Sequence, residues 1–457
     1  MRSPPAGPKR LTTLSLAAAT FFIVSGGPYG LEEIVQAHGY GRALVLIAAL
    51  PVVWALPVAL LVGELGSALP RTGGYYEWVR LGLGEFWGLQ EAWLSMAYTV
   101  VDLTLYPTML AAYLGKLWPA FAANGRGAPG WWLGVALVAG GTLWNALGIR
   151  AVGLGAEAVG ALVLSPFAAM AALAAWHLPE SMARAATALA AAPTASAAAP
   201  TFAAGLLVAL WNYLGFDNAS TFAGEVRDPQ RAYPRAMLST LALVAAAYGA
   251  SVLSSAAAGI PAAQLETGGW VLAARALGGE ALGAAVAAGG AITMVGMFTS
   301  ILLSWSRLPV ALAEDGYLPR GLARRSARTG APVPALLLGA ALVALCVGLR
   351  LDQLVVIDVL LYGAALLLEF AALVALRVRR PDLPRPFRVP GGTAGAAALG
   401  VAPAAIVVYA FWASRHEPGA FGVAALPLTA SVAAAGLVVW AAGRLLRRRA
   451  ARPSPTA

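Results

Sequence analysis

Marked only as apolar or polar, the chain is a succession of long apolar runs separated by short polar stretches. Twelve runs stand out, near 11–37, 43–68, 86–114, 131–149, 153–178, 201–224, 236–260, 283–312, 332–350, 353–376, 396–414 and 420–443. A helix needs about 20 predominantly apolar residues to cross a bilayer, and these runs have that length. The pattern predicts an all-α polytopic membrane protein. Two runs are interrupted. The first contains "SGGPYG" at 25–30, and the sixth contains "NYLGFDN" at 212–218. Gly and Pro are the poorest helix formers, so each of these runs is expected as two half-helices around an unwound segment. Between runs, the Ala-rich stretch 179–200 reads as an outer loop with a short surface helix. Residues 260–280 read as a second outer segment, one able to re-enter the membrane.

An even number of spans puts both termini on one side. With the ends cytoplasmic, 23 Lys and Arg fall on inner segments and 7 on outer loops. Cytoplasmic loops of membrane proteins carry the excess of Lys and Arg, so the expectation is an integral protein of the cytoplasmic membrane with both termini inside. Composition agrees: 60% of residues are hydrophobic and 11% charged, against roughly 25% charged in soluble chains. The net charge of +10 is then explained by arginines facing the anionic leaflet, and no nucleic-acid partner is expected. "RLLRRRAARP" at 444–453 reads as a stop-transfer flank. The N-terminus could pass for a signal peptide, but the many later spans favour a retained first helix. The single cysteine, Cys346, excludes an intramolecular disulfide and reads as a small hydrophobe.

The two breaks occupy equivalent places if spans 1–5 and 6–10 form an inverted pair. Paired discontinuities of this kind point to a transporter's midplane site, because non-helical backbone at that depth survives only where it is buried or lines a cavity. The N–H groups freed at each second half-helix form an electropositive cup suited to an anion. Acid comes directly after each break: Glu32 and Glu33 after the first, Asp217 after the second. Neighbours on a helix point about 100° apart, so only one of the two glutamates is expected to face a ligand. Glu32 is expected there, with Glu33 as the cap. Other ionisable groups within the runs are Glu64, Glu91, Asp102, Glu157, Arg307, Asp358 and Glu369. Each costs about 2.5–3.5 kcal/mol at a helix centre on insertion scales. Glu64, Glu157 and Arg307 lie near cytoplasmic ends, where a structural pair or snorkelling accounts for them. Asp102 and Asp217 sit deep and are the functional candidates. Glu91, Asp358 and Glu369 remain open. No phosphate-binding loop, potassium filter or nucleophile–base set occurs, and His38, His177 and His416 lie near helix ends, so no enzyme activity and no metal site are expected.

Four segments resemble the amino acid–polyamine–organocation transporter superfamily along nearly the whole chain. They are "VSGGPYGLEE" (24–33), closest to the polyamine-uptake branch, "PRTGGYYEWVRLGLGEFWGLQEAW" (70–93), "LWNYLGFDNASTFAGEVRDPQRAYPRAM" (210–237) and "SRLPVALAEDGYLPRGLARRSARTGAPVPAL" (306–336). The resemblance implies a LeuT-like fold of five plus five inverted helices with two more at the C-terminus. The repeats would be 1–178 and 201–378, with the loop 179–200 between them and 379–457 carrying the last two spans and a basic tail. It implies a substrate carboxylate, where one is present, on the backbone of Ser25, Gly26 and Gly27, beside Tyr29 and Gly30. By similarity to arginine/agmatine exchangers, Trp211 would stack on or gate the substrate, with Asn212, Leu214 and Phe216 nearby. Asp217 would sense pH, and Asp102 would face the substrate. Tyr106 and Tyr213 are further wall candidates. Pro28 has no N–H and weakens the carboxylate cup.

The expected function is a secondary active transporter of amino acids or polyamines and related organic cations, working by alternating access as symporter or antiporter. Its partners are the small-molecule substrate and the lipid bilayer, with oligomeric state open. No cofactor is expected. The coupling ion is expected to be a proton acting through Asp217, Asp102 and Glu32, and sodium stays open. The alternative is a non-transporting nutrient sensor or accessory subunit with the same fold, which an appended soluble domain would favour.

Overall fold

A computed structural model of the chain describes residues 11–71, 73–123, 125–148, 156–191, 202–221 and 223–450. The tails 1–10 and 451–457, loop residues 192–200 and the side chain of Glu157 lie outside the described residues. Helices run in chain order as α1 (Thr13–Val24), α2 (Glu32–Leu50), α3 (Leu56–Ala68), α4 (Tyr75–Leu83), α5 (Glu85–Gly115), α6 (Pro129–Ala146), α7 (Ala156–Trp176), α8 (Leu178–Ala190) and α9 (Phe202–Trp211). They continue as α10 (Pro229–Ala257), α11 (Trp270–Trp305), α12 (Arg307–Glu314), α13 (Val333–Cys346), α14 (Leu351–Arg379), α15 (Gly392–Leu399), α16 (Val401–Ala413) and α17 (Ala425–Ala450). Among the described residues, seven helical segments are long and apolar enough to cross a membrane, and α1 and α13 are shorter apolar helices. α8 supplies the short helix expected after the fifth run.

Both expected breaks are present. α1 ends at Val24, and the chain stays unwound to Leu31. Gly26, Gly27 and Gly30 hold φ of 57°, 118° and 95°, a region that side chains with a Cβ rarely enter. A Cβ on Gly26 would sit 2.6 Å from Thr293 Cγ2 and 2.7 Å from Met297 Cγ. Thr293 Oγ1 also donates to the Gly26 carbonyl at 2.8 Å, so this glycine lets the first break lie directly on α11. Gly26→Ala is expected to cost at least about 1–2 kcal/mol from the backbone alone, with the clash added. A melting temperature equal to that of the unaltered protein would contradict this contact.

The second break differs from expectation on its C-terminal side. α9 ends at Trp211, and Gly215 has φ of 92°. Asp217 then opens 3-10 turns at Asp217–Thr221 and Ala223–Glu225 instead of a second α half-helix. The segment "DNAST" explains this, because Asn, Ser and Thr side chains compete for nearby backbone groups. Thr221 Oγ1 donates to the Asn218 carbonyl at 2.9 Å. Ser304 Oγ donates to the same carbonyl at 3.0 Å, and Gly73 N donates to the Thr221 carbonyl at 3.0 Å.

Two other differences concern bends. α2 is kinked at Gly39, where φ is 73°, so Glu32–His38 completes the first span and the second begins at Tyr40. The segment 260–280 holds a 3-10 turn and the start of α11, which bends at Gly278 and Gly279. Trp270 Nε1 donates to the Pro28 carbonyl at 2.8 Å, tying this segment to the first break. At the other end of the molecule, Arg447 and Tyr317 both donate to Glu85 at 2.9 Å. These bonds hold the Glu85 carboxyl below its usual range.

Candidate functional site

The two breaks converge on one cavity, which α5, α11 and α14 close from the sides. From the first break it is lined by Ile23, Val24, Ser25 and Tyr29, and from the second by Trp211, Asn212, Leu214, Gly215 and Asn218. α5 adds Tyr98, Asp102, Tyr106 and Met109. α11 adds Met294 and Met297, and α14 adds Asp358 and Tyr362. No Lys, Arg or His is among the lining residues. The space open to a water-sized sphere's centre is about 20 Å³, enough for one water and too little for an organic substrate.

Contacts tie down the chain at either end of the first broken run. At one end, Leu11 pairs with the stretch after the second break: Leu11 N donates to the Glu225 carbonyl at 3.3 Å and Arg227 N to the Leu11 carbonyl at 2.8 Å. Arg307 and Glu225 form an ion pair at 3.2 Å beside them. At the other end, Glu32 accepts from Gly30 N at 2.7 Å, Tyr113 Oη at 2.5 Å and Gly268 N at 3.2 Å. Glu33 accepts from the Thr267 hydroxyl.

These contacts relocate part of the expected site. Ser25, Tyr29, Asp102, Trp211, Asn212 and Leu214 line the cavity, as does Tyr106. Gly26, Gly27, Gly30 and Phe216 shape the breaks without lining it. Glu32, expected to face the ligand, does not line it either: it bridges the first break to Tyr113 and Gly268. The expected carboxylate cup is filled from within the chain. Ser25 N and Gly26 N both donate to the Phe21 carbonyl at 2.8 Å, Gly27 N to Ser25 Oγ at 3.1 Å, and Gly30 N to Glu32. Tyr213 packs away from the cavity, its hydroxyl on the Ile47 carbonyl at 3.0 Å.

Asp102 is the acid that α5 presents to the cavity. Tyr106 Oη lies 2.8 Å from both its oxygens, and Trp211 Nε1 donates to Oδ1 at 3.1 Å. Neutral donors hold this carboxylate, and it forms no ion pair among the described residues. Trp211 links the breaks as well, since a Cβ on Gly30 would meet its ring at 3.0 Å.

Asp217 lies beside the cavity in a second acidic cluster. It accepts from Tyr362 Oη at 2.5 Å and Tyr98 Oη at 3.4 Å. Glu369 and Glu91 are its electrostatic neighbours. All three carboxyls are at most 1% exposed, and none forms an ion pair among the described residues. Neither oxygen of Glu369 has a donor, nor does Glu91 Oε2.

The residues that sequence reasoning left open were signalled by spacing. Glu91, Ser95, Tyr98, Asp102 and Tyr106 recur at intervals of three and four along α5, which puts them on one face. Asp358, Tyr362 and Glu369 stand four and then seven residues apart on α14, which again puts them on one face. Glu64 and Arg307, expected as structural pairs, are paired: Glu64 with Arg377 at 2.5 Å and Arg307 with Glu225.

Two unwound spans meeting over one cavity, in a helical membrane fold, define a transporter architecture. The solved structure of MhsT in complex with L-phenylalanine matches with a TM-score of 0.64 at 13% identity, covering 89% of this chain and 99% of that one. The fold is thus of the LeuT type. A family model described as amino acid permease matches residues 14–441, and the chain belongs to that family. Among its relatives, polyamine transporter PUT1 of Oryza sativa subsp. japonica is 36% identical over 408 residues, 88% of this chain and 74% of that protein. Polyamine transporter RMV1 of Arabidopsis thaliana is 32% identical over 400 residues, 87% and 79% of the two chains. The protein is an integral membrane transporter of small molecules.

Proposed function

We propose that this transporter carries polyamines or related organic cations across the cytoplasmic membrane, coupled to protons, by alternating access. The observation that carries the reading is Asp102: a carboxylate in the cavity shared by both breaks, with no cation lining that cavity and with Trp211 and Tyr106 beside it. Coulomb attraction and cation–π contact both favour an ammonium there. The filled cup at Ser25–Gly27 argues against a substrate carboxylate as the anchor, and the names of the plant relatives agree. The Leu11 end is taken as cytoplasmic from the arginine bias, so Glu32 and Glu33 belong to the outer side.

Asp217 with Glu369 and Glu91 is the proposed proton site. Its three carboxyls lie on the second break, α14 and α5, elements that also line the cavity, so gaining or losing a proton there bears on how these elements pack. Asp217→Asn and Glu369→Gln are each expected to fold, to keep cation binding and to flatten the pH dependence of uptake. An unchanged pH profile in both variants would remove the cluster from coupling.

Ligands that bind only the folded state raise its melting temperature by mass action. Putrescine and spermidine are expected to raise that of the purified protein, and leucine is expected to leave it unmoved. A rise with leucine and none with either amine would overturn the cation reading.

A further inference from the structure

Cation binding at Asp102 uses one carboxylate of the cavity, but the cavity has two. Asp358 lines it from α14. Its side chain is almost fully enclosed, with the residue 1% exposed. Oδ1 is buried with no hydrogen-bond partner, and Asp358 forms no ion pair among the described residues. Asp102 differs in this respect, since two donors, Tyr106 Oη and Trp211 Nε1, hold it.

A buried carboxylate without a partner is costly, and a second carboxylate facing the same space raises that cost. A single ammonium can balance only one of the two. A molecule with two ammonium groups balances both. The walls between the acids fit the rest of such a molecule. Met294 and Met297 in the same lining offer a polarisable apolar surface for methylene groups, and Tyr362 and Tyr106 add aromatic rings to it.

We infer that Asp358 is a second ammonium subsite, and that with Asp102 it makes the cavity selective for alkyl diamines and longer polyamines over monoamines. This rests on the proposed cation transport and adds a residue and a selectivity to it. Asp102 takes one end of the substrate and Asp358 the other. The closed cavity must widen along α14 and α11 for the alkyl chain to fit. The unpartnered Asp358 oxygen is then the mark of a site waiting for its second charge.

The test compares two amines of equal chain length. Uptake of labelled putrescine into proteoliposomes is competed by unlabelled putrescine and by butylamine, which lacks the second ammonium. For the unaltered protein, putrescine is expected to compete better by on the order of 100-fold, the scale of one buried charge-assisted contact. In Asp358→Asn this advantage is expected to shrink to within about threefold, mostly through weaker putrescine binding. Asp358→Glu keeps the charge and is expected to keep a preference for the diamine. Melting temperatures of both variants, with and without putrescine, report folding and binding when uptake is lost.

Equal weakening of both amines in Asp358→Asn would overturn the subsite and leave cation transport standing. So would an unaltered protein that treats the two amines alike. If the unaltered protein takes up no amine at all, the transport reading itself fails, and the subsite with it.

Discussion

Asp102→Asn lowers the apparent affinity for putrescine by on the order of 100-fold, through loss of a charge-assisted partner in a buried site. Folding survives, because asparagine offers an oxygen to Trp211 Nε1 and Tyr106 Oη in place of Asp102. The melting temperature without ligand should therefore stay close to that of the unaltered protein, while the shift caused by putrescine disappears. Tyr106→Phe removes only a donor to the same carboxylate and is expected to cost about tenfold. Saturation curves for uptake in all three proteins separate these outcomes. Equal loss for putrescine and for a neutral amino acid would make Asp102 structural.

The second large effect lies far from the cavity. Glu64 is 0% exposed and receives Arg377 through two nitrogens, at 2.9 and 2.5 Å. Val389 N donates to it at 2.7 Å, and Arg385 lies 3.3 Å away. Arg377 also donates to the carbonyls of Val389 and Gly392. One acid on α3 thus fastens the end of α14 and the connection to α15. Breaking a buried pair by removing one partner typically costs about 3–5 kcal/mol, because the other charge stays buried. Glu64→Ala should lower the melting temperature sharply, and Glu64→Ala with Arg377→Met should recover part of it. A single variant as stable as the parent would show that the pair carries no structural weight.

Much of this architecture was legible in the chain because it is local. Apolar run length, the Gly and Pro content of 25–30 and 212–218, and the arginine bias are all read within a window of residues. Asp102 was legible too, as an acid deep in a run and one step along a polar stripe on α5. The fates of Glu32 and Asp217 were not. Glu32 is fixed by Gly268, 236 residues away, and Asp217 by Tyr362, 145 residues away. Their partners depend on how the helices pack, which no local pattern encodes. The filled cup is a different case. Ser25 Oγ reaches Gly27 N, and Glu32 reaches Gly30 N, both over two residues. These bonds are short-range, yet they exist only in the backbone that the positive-φ glycines create. Asp358 stood open because an isolated acid in an apolar run does not show which side it faces. Its spacing to Tyr362 and Glu369 was the available clue, and α14's packing against α5 turns that face inward.

The central claim is proton-driven transport of an organic cation held by Asp102. Its most direct test is the initial rate of labelled putrescine uptake into proteoliposomes under an imposed pH gradient. Asp102→Asn and empty liposomes serve as controls, with arginine, leucine and a sodium gradient run in parallel. The expected result is putrescine accumulation that follows the proton gradient, is abolished by a protonophore and is lost in Asp102→Asn. Accumulation of leucine without putrescine, or no accumulation under either gradient, would contradict it.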